Sequence, residues 1–298
     1  MPWHESYSHA GAPVTGAFRM GLRPIDADVW LPPLEDAAER LADRRQLLAR
    51  DPDAYFACPP EALTAAAELL ELAAPDASAE AGAAPTPLHA FAERIPDDVC
   101  LLSPESPPRL RAGVLTAGSA WRLPERLGQD VTAIHAPVAG LDAAVGDRMR
   151  AFLARLPGDR IFERGNWALY DDGRWDRSVG DPLGRLPVAH AGEAIVEKLW
   201  LRMERQTLRR LPRTGWIAFT IRVHRHPVTD LERTPELAGH LRTAMASLDA
   251  TERRARRLDR VGPGLDAWLA RVSAATPATA SGTGYGTAAG NAGARACA

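Results

Sequence analysis

Between Trp200 and Arg222 the chain reads Trp-Leu-Arg-Met-Glu-Arg-Gln-Thr-Leu-Arg-Arg-Leu-Pro-Arg-Thr-Gly-Trp-Ile-Ala-Phe-Thr-Ile-Arg, and no other stretch restricts the fold as strongly. Pro212-Arg-Thr-Gly215 carries turn chemistry between two arms of strand-like pattern, which predicts an antiparallel hairpin. Alternation puts Trp216, Ala218, Thr220 and Arg222 on one face of the second arm and Ile217, Phe219, Ile221 and Val223 on the other. The second set predicts the core face, leaving Thr220 and Arg222 to line a site. In the first arm Leu201, Met203 and Arg205 oppose Arg202, Glu204 and Gln206, so Arg205 lies among apolar neighbours and needs a partner if buried. Guanidinium groups are planar forks that suit carboxylates and phosphates. The hairpin therefore carries a bound anion, an ion-pair network, or a solvated basic face.

Composition tempers the weight given to any one arginine. All but one of the 36 basic residues are arginine, Lys198 being the exception, so arginine is this chain's default cation. The 298 residues, 46% hydrophobic and 25% charged, suit a globular protein with a sizeable core. A net charge of -2 supplies no basic field and argues against nucleic acid as a partner. Three scattered cysteines, Cys58, Cys100 and Cys297, imply no disulfide framework and cannot supply the four thiolates of an iron-sulfur cluster. Neither a leader pattern nor a run of about 18 apolar residues occurs, so the expectation is a cytoplasmic protein without a membrane partner.

Four regions are expected. Residues 1–96 form an N-terminal helical extension and linker, with one helix after Pro33 carrying Leu34, Ala38, Leu41, Arg45 and Leu48 on a face and a second opened by Pro59-Pro60-Glu61. Residues 97–228 hold a central sheet: strands at Val99–Leu102, Gly113–Ala117 and Arg160–Arg164, a helix over Leu141–Leu156, then the hairpin. Helical spacing returns over 229–272, and the Ala-, Gly- and Thr-rich tail 273–298 predicts disorder. Helices at both ends of a central sheet make the fold class α+β.

Familiar catalytic signatures are missing. Gly282-Thr-Gly-Tyr-Gly286 lacks the third glycine and preceding strand of a dinucleotide loop, and no Walker loop, Gly-x-Ser-x-Gly elbow or His-Glu-x-x-His pair occurs. His224 and His226 point the same way on a strand, yet without a third ligand nearby a surface pair is the simpler reading. His135, in Val131-Thr-Ala-Ile-His-Ala-Pro-Val138, sits between apolar residues before a helix, where an imidazole serves either as a hydrogen-bonded structural group or as an axial haem ligand.

Several motifs resemble the alpha subunits of haem-dependent oxidative N-demethylases. The longest is Leu201-Arg-Met-Glu-Arg-Gln-Thr-Leu-Arg-Arg-Leu-Pro212 continuing through Ile217-Ala-Phe-Thr-Ile-Arg222. Shorter ones are Met20-Gly-Leu-Arg-Pro-Ile-Asp26, Trp121 with Pro124-Glu125, Ile134-His-Ala-Pro-Val138, and Arg164 with Asn166-Trp167. The resemblance implies a PAS-like domain, a five-stranded antiparallel sheet with flanking helices that holds haem b. It further implies oxygen-dependent removal of a methyl group from a small secondary amine such as dimethylamine, with release of formaldehyde. Electrons would come from NADPH through a separate flavin and iron-sulfur reductase subunit. Tetrahydrofolate would be the formaldehyde acceptor, requiring a place for a folate tail.

Carried over by motif, His135 becomes the axial ligand, with His190 next in line. Arg205, Arg209, Arg210 and Arg222 are expected at haem propionates or in distal-pocket hydrogen bonding: Arg205 and Arg210 as cofactor-binding, Arg209 and Arg222 with Glu204 as catalytic. Glu204, Trp167 and Tyr170 are expected to receive the protonated amine, through a carboxylate or an aromatic face. Ala117-Gly-Ser119 stands where the family has Phe-Pro-Ser, Ala139 where it has proline, and Val223-His224 where Thr-Tyr is common, which bears on the substrate. The competing reading is a PAS-like sensor or binding protein without catalysis.

Overall fold

The computed structural model describes residues 21–75, 84–136, 146–184, 186 and 192–275. The predicted helix over Leu141–Leu156 falls partly outside these residues, and the predicted disorder beyond Ser273, the glycine motif near Gly284 and His190 fall outside them or nearly so.

The hairpin forms as its alternation requires. Strands β6 (Trp200–Arg210) and β7 (Ile217–Pro227) pair antiparallel along their whole length, from Arg210 opposite Ile217 to Trp200 opposite Pro227. Gly215 closes the turn at φ 73°, a conformation that residues with a Cβ avoid. The turn amides of Arg213 and Thr214 donate to the Glu68 carboxylate at 2.6 and 2.9 Å, so a helix from the N-terminal region caps it.

Around this hairpin the sheet grows to seven strands, all antiparallel. In chain order the others are β1 (Arg23–Ile25), β2 (Phe56–Ala57), β3 (Asp98–Leu102), β4 (Leu110–Val114) and β5 (Ile161–Tyr170), and the spatial order is β1-β5-β6-β7-β3-β4-β2. The five central strands, with helices inserted between β4 and β5, give the PAS-like α+β arrangement that the resemblance implies. Two short strands from before residue 58 extend it, β1 along β5 and β2 along β4, so both edges end in strands of three residues or fewer. Short edges leave little backbone for pairing with another chain.

Both faces of the sheet are covered, which explains why its strands carry few solvent-facing positions. One face, bearing Val99, Leu101, Ala112, Val114 and Ala218, packs against α1 (Ala37–Arg50), α3 (Leu63–Ala73) and α4 (Pro87–Arg94); α2 (Pro52–Tyr55) leads into β2. Farther along that face, Trp167, Leu169, Leu201 and Met203 pack against α7 (Pro235–Ala246) and α9 (Leu258–Ala274), with α8 (Ala250–Ala255) between them. Helix α9 buries Leu258, Val261, Leu265, Trp268, Leu269 and Val272, a stripe at three- and four-residue spacing. The opposite face carries Cys100, Ile217, Ile221 and Val223 and is covered by α5 (Val131–His135) and α6 (Asp147–Ala154).

Two sequence expectations are corrected here. The face of Thr220 and Arg222 is core, with Thr220 0% and Arg222 3% exposed, because the N-terminal helices cover it. On α1 the buried residues are Arg40, Arg44 and Leu47, while Arg45 is exposed. The stripe is shifted because Arg40 and Arg44 reach the buried Asp98 carboxylate at 2.7 and 3.1 Å. Asp98 also accepts the Thr116 and Ala117 amides, and Arg44 donates to four carbonyls between Ala92 and Asp97. An ion cluster thus pins α1 to the sheet.

Candidate functional site

Period-two alternation divides the hairpin's polar residues between opposite faces of the sheet, and the division separates the residues proposed from sequence. Arg205, Arg209 and Arg222 project to the face covered by the N- and C-terminal helices, as does Trp167 on β5. Arg205 pairs with Glu163 and donates to the carbonyls of Trp30 and Val29 at 2.7 and 2.6 Å. Arg222 binds Asp97 through Nε and Nη2 at 3.0 and 2.6 Å and donates to the Pro32 carbonyl. Arg209 stacks on Trp30, its guanidinium 4.3 Å from the ring centre. Trp167 lies beneath the Arg256 guanidinium at 4.7 Å. The arginines expected at a ligand are thus committed to partners within the fold.

On the other face stand His135, Glu204 and Tyr170. Asp130 starts α5 by accepting the Ala133 amide at 2.9 Å, and His135 ends it. The His135 Nδ1 lies 2.8 Å from the Val131 carbonyl, one helical turn back. A carbonyl only accepts, so Nδ1 carries the proton and Nε2 keeps its lone pair. Burial lowers the His135 pKa, and the Arg164 and Arg126 charges lower it further against the opposing pull of the Val131 bond. The ring is held neutral, in the tautomer typical of a metal ligand whose second nitrogen is fixed by a carbonyl. Its helix packs Val131 and Ile134 against the same core cluster as Phe152, Phe162 and Phe219, all partly buried and apolar.

Glu204 has both oxygens occupied, Oε1 by the Ser119 hydroxyl at 2.5 Å and Oε2 by Gln206 Nε2 at 2.8 Å. Ser119 in turn accepts from Arg202 Nε at 2.9 Å, and Arg202 donates to the Trp175 and Ala117 carbonyls. Tyr170 is clamped between Arg177 and Arg202, whose guanidinium carbons lie 4.9 and 5.5 Å from its ring centre. Burial raises the phenol pKa, so it stays protonated. Arg210 shares this face but sits at the turn end, where it donates to the Leu156, Leu153 and Gly215 carbonyls at 2.7 to 2.8 Å and fastens the end of α6 to the hairpin.

Ser119, Arg202, Gln206 and Arg164 are the members of this face that sequence reasoning left without a role. Arg202, Gln206 and Arg164 lie within the motifs that carry the resemblance and Ser119 in a segment that departs from it, which was the available signal; nothing in the alternation alone marked Arg202 over its neighbours. The histidine pair is also corrected: His224 is 8% exposed, with Nε2 unpartnered, and is not on the surface, while His226 faces Asp230 at 3.9 Å. Among the described residues no three His, Cys, Asp or Glu side chains gather as a metal site, and no helix is long and apolar enough to cross a membrane.

A PAS-like α+β protein with one neutral, oriented imidazole and a buried carboxylate on the same sheet face is the class that this architecture defines. A family model described as "Haem-dependent oxidative N-demethylase, alpha subunit-like" matches residues 73–265, which includes all five central strands together with His135, Arg164 and Glu204. The chain belongs to that family, whose description refers to the alpha subunit of a multi-subunit enzyme. No curated protein matches the chain.

Proposed function

We propose that the protein is the haem-binding oxygenase component of an oxidative N-demethylase acting on a small secondary amine of the dimethylamine type. The observation that carries this is the His135 ring, whose Nδ1 lies against the Val131 carbonyl and whose Nε2 has no hydrogen bond among the described residues, on a helix covering the sheet face where Glu204 is buried. The chemistry of the residues fits a haem: an imidazole on α5, aromatic and aliphatic side chains in the cluster that α5 packs against, and a guanidinium at Arg164 whose Nε is sealed from solvent without a partner. Haem bound there would supply the oxygen activation that no side chain of this chain can provide.

The remaining work falls to the chain's own groups. His135 holds the cofactor and, through Val131, sets its own orientation. Glu204 is the carboxylate for the ammonium form of the substrate, with Ser119 and Gln206 fixing its rotamer so that a small cation meets a preset geometry. Tyr170, kept as a neutral phenol between two arginines, closes the polar end of this network. Arg205, Arg210 and Arg222, bonded elsewhere, and Arg209 and Trp167, stacked on Trp30 and Arg256, build the scaffold. NADPH oxidised on a flavin and iron-sulfur reductase subunit supplies the electrons, and tetrahydrofolate is a fitting acceptor for the formaldehyde.

Formaldehyde formation tests the proposal. Haem-loaded protein given a chemical or enzymatic electron donor should release formaldehyde from dimethylamine, or from another methylamine in a panel, in proportion to oxygen consumed. Haem binding without formaldehyde from any methylamine would leave a sensor in place of an enzyme.

A further inference from the structure

Arg164 is a charged group on the His135 face with no counterion among the described residues. It lies on β5 opposite Gln206 of β6, partly buried, with Nε shielded from solvent and unpartnered. Among the described residues it forms no hydrogen bond or ion pair. Neither nearby carboxylate pairs with it. Glu204 is held by Ser119 and Gln206, and Glu163, one residue earlier, points to the opposite face, where Arg23 and Arg205 take it. Glu204 contributes only a more distant favourable field. A guanidinium withdrawn from water without hydrogen bonds is strongly disfavoured unless an anion meets it, and elsewhere this chain observes that rule closely: Arg40, Arg44, Arg177, Arg202 and Arg222, all buried, each have donors engaged.

A second cation lies on the same side of the sheet. Arg126, in the loop before α5, reaches Gln129 at 3.5 Å through Nη1, and its Nε is likewise buried and unpartnered. Arg126 precedes the helix that ends in His135, Arg164 lies on the sheet face that this helix covers, and both charges lower the His135 pKa. Two guanidiniums with unpartnered Nε groups on the side of the sheet that α5 covers suit an anion bound on that side. A carboxylate matches best, because the guanidinium fork presents two parallel N–H groups to its two oxygens.

We propose that Arg164, seconded by Arg126, is the receptor for a carboxylate on the edge of the haem. This rests on the haem assignment of the preceding subsection, and it moves the anion contact from Arg205, Arg210 and Arg222, bonded within the fold, and Arg209, stacked on Trp30, to a residue of β5 and a residue of the loop before α5.

The test compares the full-length protein's binding of haem b with its binding of the dimethyl ester of haem, in which both carboxylates are masked, by Soret titration. Losing one charge-assisted carboxylate contact should weaken binding about 10- to 100-fold. Wild-type protein should therefore prefer haem b over the diester by that factor. Arg164→Gln should lose the preference by weakening haem b binding and leaving diester binding unchanged; Arg164→Lys should retain part of it, and Arg126→Gln should reduce it less. The two milder variants carry the test if Arg164→Gln fails to fold. Discrimination at the wild-type level in the Arg164 and Arg126 variants would overturn the proposal while leaving haem binding standing. Binding of neither porphyrin by wild-type protein would overturn both.

Discussion

Replacing Arg222 with methionine separates a structural arginine from a cofactor-binding one. Arg222 and Asp97 are 3% and 1% exposed, and Arg222 holds one Asp97 oxygen through two nitrogens while also donating to Pro32. Asp97 has no other ion pair among the described residues. Methionine preserves most of the volume, so the loss is mainly electrostatic. It leaves a carboxylate buried without a cation, and breaking such a pair from one side costs about 3–5 kcal/mol. For a urea m-value of about 3 kcal/mol/M, the unfolding midpoint should fall by roughly 1–1.7 M. The Asp97→Asn, Arg222→Met double variant should recover part of the loss, giving a coupling near the top of the ~0.5–3 kcal/mol range for contacting residues. Urea denaturation followed by circular dichroism measures all four corners of the cycle, and haem titration of each folded variant provides the control. A midpoint within error of wild type, combined with lost haem affinity, would refute the argument and return Arg222 to the cofactor.

Three further outcomes are expected. Burial alone would raise the Asp98 pKa, but Arg40, Arg44 and the Ala117 and Thr116 amides outweigh it and hold the carboxyl below its usual range; its contribution to stability is present above the unfolded value of ~3.9 and lost as pH falls through the lower folded value, so an acid titration of urea midpoints should show a steep limb that Asp98→Asn flattens. Burial, then Arg222, His226 and Arg205, lower His224 to about 3, so between pH ~6.5 and that value the unfolded chain binds a proton that the folded one refuses; stability should fall with acidification across this window, and His224→Leu should make midpoints at pH 7 and pH 5 more nearly equal. Glu204→Gln should leave haem stoichiometry intact and raise KM for the amine by about tenfold or more, as expected for loss of a charge-assisted contact; an unchanged KM would remove Glu204 from substrate binding.

The sequence made the hairpin legible because a period of two survives any uncertainty in propensity, and Pro212 to Gly215 fixed where it reverses. The choice of inner face was not legible. Alternation tells inside from outside only when one face meets water, and here helices from both ends of the chain cover one face while α5 and α6 cover the other. Arginines on a doubly covered sheet must find internal partners, and those partners, Asp97 for Arg222 and Glu163 for Arg205, lie far away in sequence. The shift of the α1 stripe has the same origin: Arg40 and Arg44 are buried by Asp98 and carbonyls that no helical periodicity encodes. The short strands β1 and β2 were missed because three or two residues carry no pattern. His135 was legible through its motif, but its tautomer became visible only with the Val131 carbonyl 2.8 Å away. Arg164 was quoted as part of a motif and given no role, since a missing partner is a property of three dimensions.

Stoichiometric haem titration of the wild-type protein beside His135→Ala, with and without added imidazole, tests the central claim most directly. Wild-type protein should bind one equivalent with a sharp Soret band; His135→Ala should lose that band and regain it when imidazole fills the vacated position. An undiminished, imidazole-independent band in His135→Ala would contradict the account.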